Sequence, residues 1–190
     1  MRCFIAIDIS DEARKALADV IEKLGQKQKG IRWIKPENIH ITLKFLGETS
    51  EELVPDIISR LSSIFSGHVP FTITVRGTGV FPSIRNPNVL WTGIDESKDL
   101  KYLTSLIEDS MAELGFEKET RDFSPHLTIG RVKDRRGAEP VITELYAMQD
   151  TLFGTVPVGE AFLMKSVLKA AGAEYSKVAV FKLASFPFQT

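Results

Sequence analysis

Two of the three histidines in this 190-residue sequence open the same short pattern, His-x-Thr. The two copies are His40-Ile41-Thr42 and His126-Leu127-Thr128, and an aliphatic residue follows each. Side chains alternate across a β-strand, so the imidazole and the hydroxyl of each copy share one face. An imidazole can accept or donate a proton near neutral pH, and a threonine hydroxyl can donate a hydrogen bond to a phosphate oxygen. Two such faces across one cleft would suit metal-free phosphoryl transfer, with either histidine as the acid.

A single His-x-Thr strand is most often structural, and it is the repetition with matched aliphatic positions that favours a site. Zinc is the main alternative for paired histidines, but threonine is a poor zinc ligand and neither His-x-x-x-His nor paired cysteines occur. Gly77-Thr78-Gly79 lacks the remaining residues of a phosphate-binding loop. We expect the third histidine, His68, to be exposed, and Cys3 to be a small core residue.

The elements around the two motifs follow one order, a strand, a helix, a loop and the motif strand. Predicted strands cover 3–8, 31–34, 39–46, 71–75, 89–94, 124–132 and 155–158; predicted helices cover 10–25, 50–65, 96–115 and 139–150; and 161–183 forms a hairpin. Asp8 precedes His40 by 32 positions, Asp95 precedes His126 by 31, and the two histidines are 86 positions apart. This near-repeat predicts a single α+β domain over residues 1–190. Its two lobes would be related by a pseudo-twofold, each with an antiparallel sheet and covering helices, and with the cleft between them.

The composition restricts the class of partner. Hydrophobic residues make up 43% and charged residues 26%, as in ordinary globular proteins, and the net charge is −1. A protein that coats long nucleic acid usually has a basic excess, so we expect only a short, local contact with an RNA end or a nucleotide. One cysteine excludes an internal disulfide. With no apolar stretch of about 20 residues and no signal peptide, we expect a soluble cytoplasmic monomer that does not bind a membrane.

Both motifs sit in longer stretches that resemble a known family. Residues 33–48, WIKPENIHITLKFLGE, resemble the first signature of the 2H phosphoesterase superfamily, and residues 124–131, SPHLTIGR, the second. Within it the chain is most similar to the RNA 2′,3′-cyclic phosphodiesterases, also known as 2′-5′ RNA ligases. The ending, Lys165 to Leu168 and Gly172 to Tyr175, is similar to that family's C-terminal hairpin.

The resemblance implies roles that the spacing alone leaves open. It implies His40 as proton donor to the leaving 3′ oxygen, His126 as proton acceptor from water, and Thr42 and Thr128 as phosphate-binding residues. The product would be a terminal 2′-phosphate, with 2′-5′ ligation as the related reversal, and neither a metal nor a cofactor is implied.

Further residues near the motifs are candidates for substrate binding. Arg131 could bind phosphate, and Lys44, which shares the face of His40 under strict alternation, could add positive charge at the cleft. Phe45, Trp33 and Tyr175 could each stack on a base or belong to the core. Two other functions stay open: a small-molecule cyclic nucleotide phosphodiesterase, and a non-catalytic RNA-binding module that would be favoured by loss of a motif residue.

Overall fold

Nine strands and four α-helices lie in the part of the chain that the computed structural model describes, residues 1–25, 30–169 and 172–184. The strands are β1 Arg2–Ile7, β2 Ile31–Trp33, β3 Ile41–Glu48, β4 Phe71–Ser83, β5 Asn86–Ile94, β6 His126–Val132, β7 Leu152–Val158, β8 Glu160–Lys169 and β9 Gly172–Lys182. The helices are α1 Asp11–Gly25, α2 Val54–Ser66, α3 Lys98–Ala112 and α4 Arg135–Tyr146. Short 3-10 turns at Pro36–Asn38 and Glu51–Leu53 precede β3 and α2.

The strands form one antiparallel sheet in the order β7-β4-β5-β6-β3-β1-β8-β9, with β2 as an extra partner of β6. Among the described residues, β3 and β6 share one paired position, Ile41 with Leu127. Past that position β2 replaces β3 beside β6, from Ile31 to Trp33. The sheet therefore consists of two halves that meet at the two motif strands, β7-β4-β5-β6 with the added β2 and β3-β1-β8-β9.

The helices cover the face of the sheet opposite to the motif histidines. Helices α2 and α3 pack against β9, β8 and β3, while α1 and α4 pack against β7, β4 and β2. Buried apolar side chains of the strands and helices form one cluster between these layers, including Ile41, Leu127, Leu17, Leu61 and Ile107. The predicted α+β class, with antiparallel strands and covering helices, is confirmed; the internal duplication stays a prediction.

Most predicted elements are present with shifted boundaries. Helix α1 begins after Ser10, whose hydroxyl accepts a hydrogen bond from the Ala13 N–H, as an N-cap should. Helix α4 begins four residues earlier than predicted, because Asp134 caps it by accepting from the N–H groups of Arg136 and Gly137. Pro140 lies inside that helix. The predicted hairpin is β8–β9, and residues 170–171 of its turn lie outside the described residues.

Strand β4 is eight residues longer than the predicted 71–75 segment. It continues through Gly77, whose φ of +73° lies in the region that glycine tolerates, and a register shift occurs there. It also continues through Gly79, where the Trp91 ring of β5 occupies the space that a Cβ would need. In the sheet the two glycines accommodate a bulge and a close ring contact. The extension brings Phe81 to the motif strands.

Candidate active site

The pairing of Ile41 with Leu127 places both motifs on one face of the sheet. These two side chains are fully buried on the helix-covered side. Directly paired residues of neighbouring strands point the same way, and their sequence neighbours point the opposite way. His40, Thr42, His126 and Thr128 therefore all lie on the opposite face, and each is half-buried. The structure thus brings together the four residues that the sequence selected.

Both imidazoles are held by the same backbone contact. Nδ1 of His40 lies 2.8 Å from the carbonyl oxygen of Asn38, and Nδ1 of His126 lies 2.8 Å from that of Ser124. In each case the carbonyl belongs to the residue two positions before the histidine. A carbonyl oxygen can only accept a hydrogen bond, so Nδ1 carries the proton in both rings. Nε2 is then the nitrogen left to exchange protons at the site.

Aromatic rings fix the orientation of both imidazoles. The Phe4 ring stacks on His40 with 4.8 Å between centroids, and Tyr175 meets the same imidazole edge-on at 5.2 Å. Phe81 of the extended β4 meets His126 edge-on at 5.0 Å. Because each ring is restrained both by a hydrogen bond and by an aromatic neighbour, Nε2 has a preset direction.

The pKa of His40 is shifted by this environment. Burial lowers it below the ordinary histidine value, and the Asn38 carbonyl and the Asp8 carboxylate each raise it and offset part of the effect. Asp8 pairs with Arg14 at 2.5 Å and lies 3.8 Å from Nζ of Lys177. The neutral imidazole is therefore favoured in the free protein.

A β-bulge follows each motif at the same position. In β3, Ala6 pairs with Thr42 and Ile5 with Lys44, so Leu43 is the extra residue. In β6, Trp91 pairs with Thr128 and Leu90 with Gly130, so Ile129 is the extra residue. Leu43 and Ile129 are both the third residue after their histidine. A bulge reverses the alternation beyond it, so the fifth residue after each histidine, Phe45 or Arg131, returns to the site face.

The bulge contradicts the prediction for Lys44, which does not share the face of His40. Its side chain is 3% exposed and points to the helix side, where Nζ donates to Glu108 Oε2 of α3 at 2.5 Å and to the Glu117 carbonyl at 2.8 Å. Strict alternation placed it wrongly because Leu43 occupies an extra position in the strand. Lys44 is therefore paired inside the protein and is not a substrate-binding residue.

The other candidates have different environments. Phe45 is 70% exposed on the site face, with its ring 6.1 Å from that of Phe4. Arg131 is exposed on the same face, and Tyr175 lies against His40. Trp33 packs on the core beside Gly130 instead. These positions are compatible with substrate contacts by Phe45, Arg131 and Tyr175, which stay predictions.

Two smaller expectations have clear outcomes. Cys3 is buried in the core, as predicted, and burial raises the pKa of its thiol. His68 is half-buried rather than exposed, because its Nδ1 lies 2.7 Å from the Ile64 carbonyl and its ring lies 5.5 Å from that of Tyr102. It follows α2 and takes no part in the candidate site.

A cavity of about 180 Å³ lies beside His40 on the site face. Its walls include the polar side chains of Asp8, Glu37 and Lys177 together with the ring of Tyr175. Lys177 Nζ also lies 3.6 Å from the centroid of the Phe162 ring, a cation–π contact. In the described residues no group of three or more His, Cys, Asp or Glu side chains could hold a metal ion. None of the described helices is both long enough and apolar enough to cross a membrane.

Known proteins resemble this chain along nearly its whole length. The family model for LigT-like phosphoesterases matches residues 7–91. An RNA 2′,3′-cyclic phosphodiesterase of Archaeoglobus fulgidus is 35% identical over 182 residues, which is 96% of this chain and 100% of that protein. The chain belongs to the LigT-like phosphoesterase family. A second relative with the same name, from Methanothermobacter thermautotrophicus, is 32% identical and covers 96% of this chain and 99% of that protein.

Solved structures have the same fold as this chain. A Thermus thermophilus crystal structure superimposes with a TM-score of 0.83 at 28% identity, covering 96% of this chain and 98% of that one. Escherichia coli LigT complexed with 3′-AMP has the same fold, with a TM-score of 0.77 at 24% identity and coverages of 97% and 98%. The prediction of an enzyme of the phosphoesterase class is confirmed at the level of the family.

Sequence reasoning missed several residues that build this LigT-like site. Phe4 and Phe81 position the imidazoles, and the carbonyls of Asn38 and Ser124 set their tautomers. The two carbonyls gave no sequence signal, because every residue supplies a backbone carbonyl whatever its side chain. Phe81 was missed because the predicted strand ended at Val75, whereas β4 continues to Ser83.

Proposed function

We propose that the chain is an RNA 2′,3′-cyclic phosphodiesterase that hydrolyses a terminal 2′,3′-cyclic phosphate to a 2′-phosphate. The single observation that carries the proposal is the Ile41–Leu127 pair, which puts two histidines and two threonines on one face. Relatives named RNA 2′,3′-cyclic phosphodiesterase, at 35% and 32% identity over 96% of the chain, support the choice of substrate. The cyclic phosphate would lie between the two motifs.

In this mechanism His126 accepts the proton of the attacking water through Nε2, and His40 donates a proton through Nε2 to the leaving 3′ oxygen. Hydrogen bonds from Thr42 and Thr128 hold the non-bridging phosphate oxygens, where negative charge increases in the transition state. The low pKa of His40 in the free protein opposes the protonated form that a donor needs. A bound phosphate supplies a negative charge beside it, which favours the imidazolium in the complex.

The same two histidines would act in reverse in 2′-5′ ligation. An RNA 5′-hydroxyl then replaces water as the nucleophile, and the proton transfers follow the same path by microscopic reversibility. Because Nδ1 of each ring is held by a backbone carbonyl, Nε2 both gives and receives the proton in either direction.

A nucleoside 2′,3′-cyclic phosphate is the second candidate substrate. The cavity beside His40, about 180 Å³ in volume, is confined to one side of the catalytic face, and the net charge of −1 does not require a long polyanion. A non-catalytic RNA-binding module is disfavoured by the presence of all four motif residues. Measuring hydrolysis of an RNA ending in a 2′,3′-cyclic phosphate and of a nucleoside 2′,3′-cyclic phosphate distinguishes the two enzymes, and hydrolysis of neither would favour the non-catalytic module.

The test is an assay of RNA ending in a 2′,3′-cyclic phosphate, in EDTA, with ring opening followed by mass and the 2′- and 3′-phosphate products distinguished by chromatography against standards of each. We expect a 2′-phosphate end, and a loss of about 10²–10⁴-fold in kcat for His40→Ala and for His126→Ala. His68→Ala is the matched control, because this third histidine is remote from the site, and it should retain activity. A 3′-phosphate product, or full activity in either motif variant, would contradict the proposal.

A further inference from the structure

Arg32 of β2 and Arg131 of β6 are direct antiparallel partners. Directly paired residues share a face, and the bulge at Ile129 puts Arg131 on the face of His126 and Thr128. The neighbours confirm the orientation of β2, since Ile31 is buried in the core and Trp33 packs on it, whereas Arg32 is exposed. The two arginine side chains therefore leave adjacent positions on the site face; we refer to Arg32 and Arg131 as the arginine pair.

The arginine pair has no compensating carboxylate. Within residues 1–25, 30–169 and 172–184, neither arginine forms an ion pair with Asp or Glu, although Arg14, Arg60, Arg76 and Arg121 each do. Like charges directly opposite each other on a sheet destabilise it. The pair is thus an unneutralised cationic pair that a bound anion would stabilise.

The position of the arginine pair relates it to the catalytic residues. Arg131 lies three residues beyond Thr128, roughly 10 Å along the strand. On the opposite side of the cleft, a Cβ on Gly172 of β9 would lie 2.8 Å from Nη2 of Arg32. Arg32 therefore reaches the β8–β9 hairpin, which also carries Tyr175.

We propose that the arginine pair binds the phosphodiester that precedes the terminal nucleotide of an RNA substrate. The proposal rests on the proposed function, in which the cyclic phosphate lies at the two histidines. A guanidinium presents several donors in a planar fork that matches two phosphate oxygens, so two of them hold one backbone phosphate firmly. A nucleoside 2′,3′-cyclic phosphate has no such phosphodiester. The arginine pair would therefore select RNA ends over free cyclic nucleotides.

The experiment compares two substrates, a short oligonucleotide ending in a 2′,3′-cyclic phosphate and a nucleoside 2′,3′-cyclic phosphate. For Arg32→Gln we expect the ratio of kcat/KM for the oligonucleotide to that for the nucleoside to fall about tenfold, mainly through KM. The slope of log kcat/KM against log salt should become shallower by about one for the oligonucleotide. Lys15→Gln, which removes one exposed charge from α1, is the control and should leave the ratio unchanged.

A modified substrate identifies the phosphate itself. A neutral methylphosphonate in place of the phosphodiester preceding the terminal nucleotide should reduce kcat/KM of the wild-type protein by a similar factor. In Arg32→Gln the same substitution should have little further effect, since the two changes remove one interaction. Arg32→Lys should restore part of the discrimination, because an ammonium keeps the charge without the fork.

Two outcomes would overturn the assignment. One is an unchanged substrate ratio in Arg32→Gln, and the other is an equal effect of the methylphosphonate on the wild type and the variant. If the wild-type protein hydrolyses neither substrate, the proposed function itself fails. If both substrates are hydrolysed and Arg32→Gln leaves their kcat/KM ratio unchanged, the proposal for the arginine pair fails while the proposed function stands.

Discussion

Ile41 of β3 and Leu127 of β6 are direct partners in the sheet, and both side chains are fully buried. Each is the middle residue of a His-x-Thr motif. The pair determines which face of the sheet carries the histidines, and it sets the register between β3 and β6. A shift of one residue in either strand would turn that strand's motif toward the helices. The arrangement of the motif side chains thus depends on an apolar contact on the opposite side of the sheet.

The Asp8 carboxylate raises the pKa of His40, so its removal should reveal the role of that histidine. Asp8→Asn should lower the pKa of His40. If His40 is the proton donor, kcat/KM falls on the alkaline arm of the pH profile, where the protonated form is already scarce, and the acidic arm is unchanged. A rise on the acidic arm with an unchanged alkaline arm would instead make His40 the acceptor. Asp56→Asn, an equal charge change on exposed α2, should leave both arms in place.

Lys44 is buried and bound to Glu108 and to the Glu117 carbonyl, so its loss should affect stability. Lys44→Met leaves a largely buried carboxylate without its cation and the Glu117 carbonyl without the Nζ donor, and we expect the free energy of unfolding to fall by about 2–4 kcal/mol. Urea denaturation measures the change. Lys169→Met, which removes a pair with Glu174 that is exposed on both sides, should have a much smaller effect. A Lys44→Met protein as stable as the wild type would mean that this pair is not formed.

Tyr175 covers the His40 ring, and burial is the main cause of the low pKa of that histidine. Tyr175→Ala should admit water to the imidazole and raise its pKa toward the ordinary value, whereas Tyr175→Phe should leave it unchanged. NMR titration of the His40 ring resonances measures both. Tyr102→Ala, which uncovers His68 instead, is the control for ring removal. An equal shift in the Phe and Ala variants would assign the effect to the hydroxyl rather than to coverage.

Gly79 lies under the Trp91 ring, and a Cβ there would be 2.2 Å from Trp91 Cζ2. Gly79→Ala must displace the ring, which also contacts Phe81 beside His126. We expect a loss of about 1–3 kcal/mol in unfolding free energy together with reduced kcat. Gly159→Ala, where a Cβ would meet nothing within 4 Å, is the matched control. Wild-type stability in Gly79→Ala would show that the ring has room to move.

The motif residues could be predicted from the sequence for two reasons. The alternation of side chains along a strand puts the histidine and threonine of each motif on one face, and the repeated tripeptide shows that the two motifs belong together. The wrong predictions arose where the strands depart from strict alternation of side chains. Lys44 was placed on the wrong face because a bulge at Leu43 is decided by pairing with β1, which a single strand does not encode. Leu46, buried three positions after Leu43, was a clue, since strict alternation would have exposed it.

Longer-range features were beyond single-strand reasoning for the same reason. The extension of β4 through Gly77 and Gly79 depends on Trp91 of a neighbouring strand, and the start of α4 depends on the Asp134 cap despite Pro140. Arg32 attracted no attention in the sequence, because its significance lies in its partner across the sheet, Arg131. Secondary-structure propensity depends on the residues of one segment. The conformation or role of these positions depends instead on contacts between two segments.

Strand β2 is three residues long and carries none of the motif side chains, yet it fills the gap where β3 leaves β6. The register of the motif strands is set elsewhere, at Ile41 and Leu127. The RNA contact proposed for Arg32 is therefore carried by a segment that does not set the register of the motif strands. Exchange of the Ile31–Trp33 segment between related enzymes offers a way to engineer which RNA ends are recognised while the hydrolytic machinery is preserved.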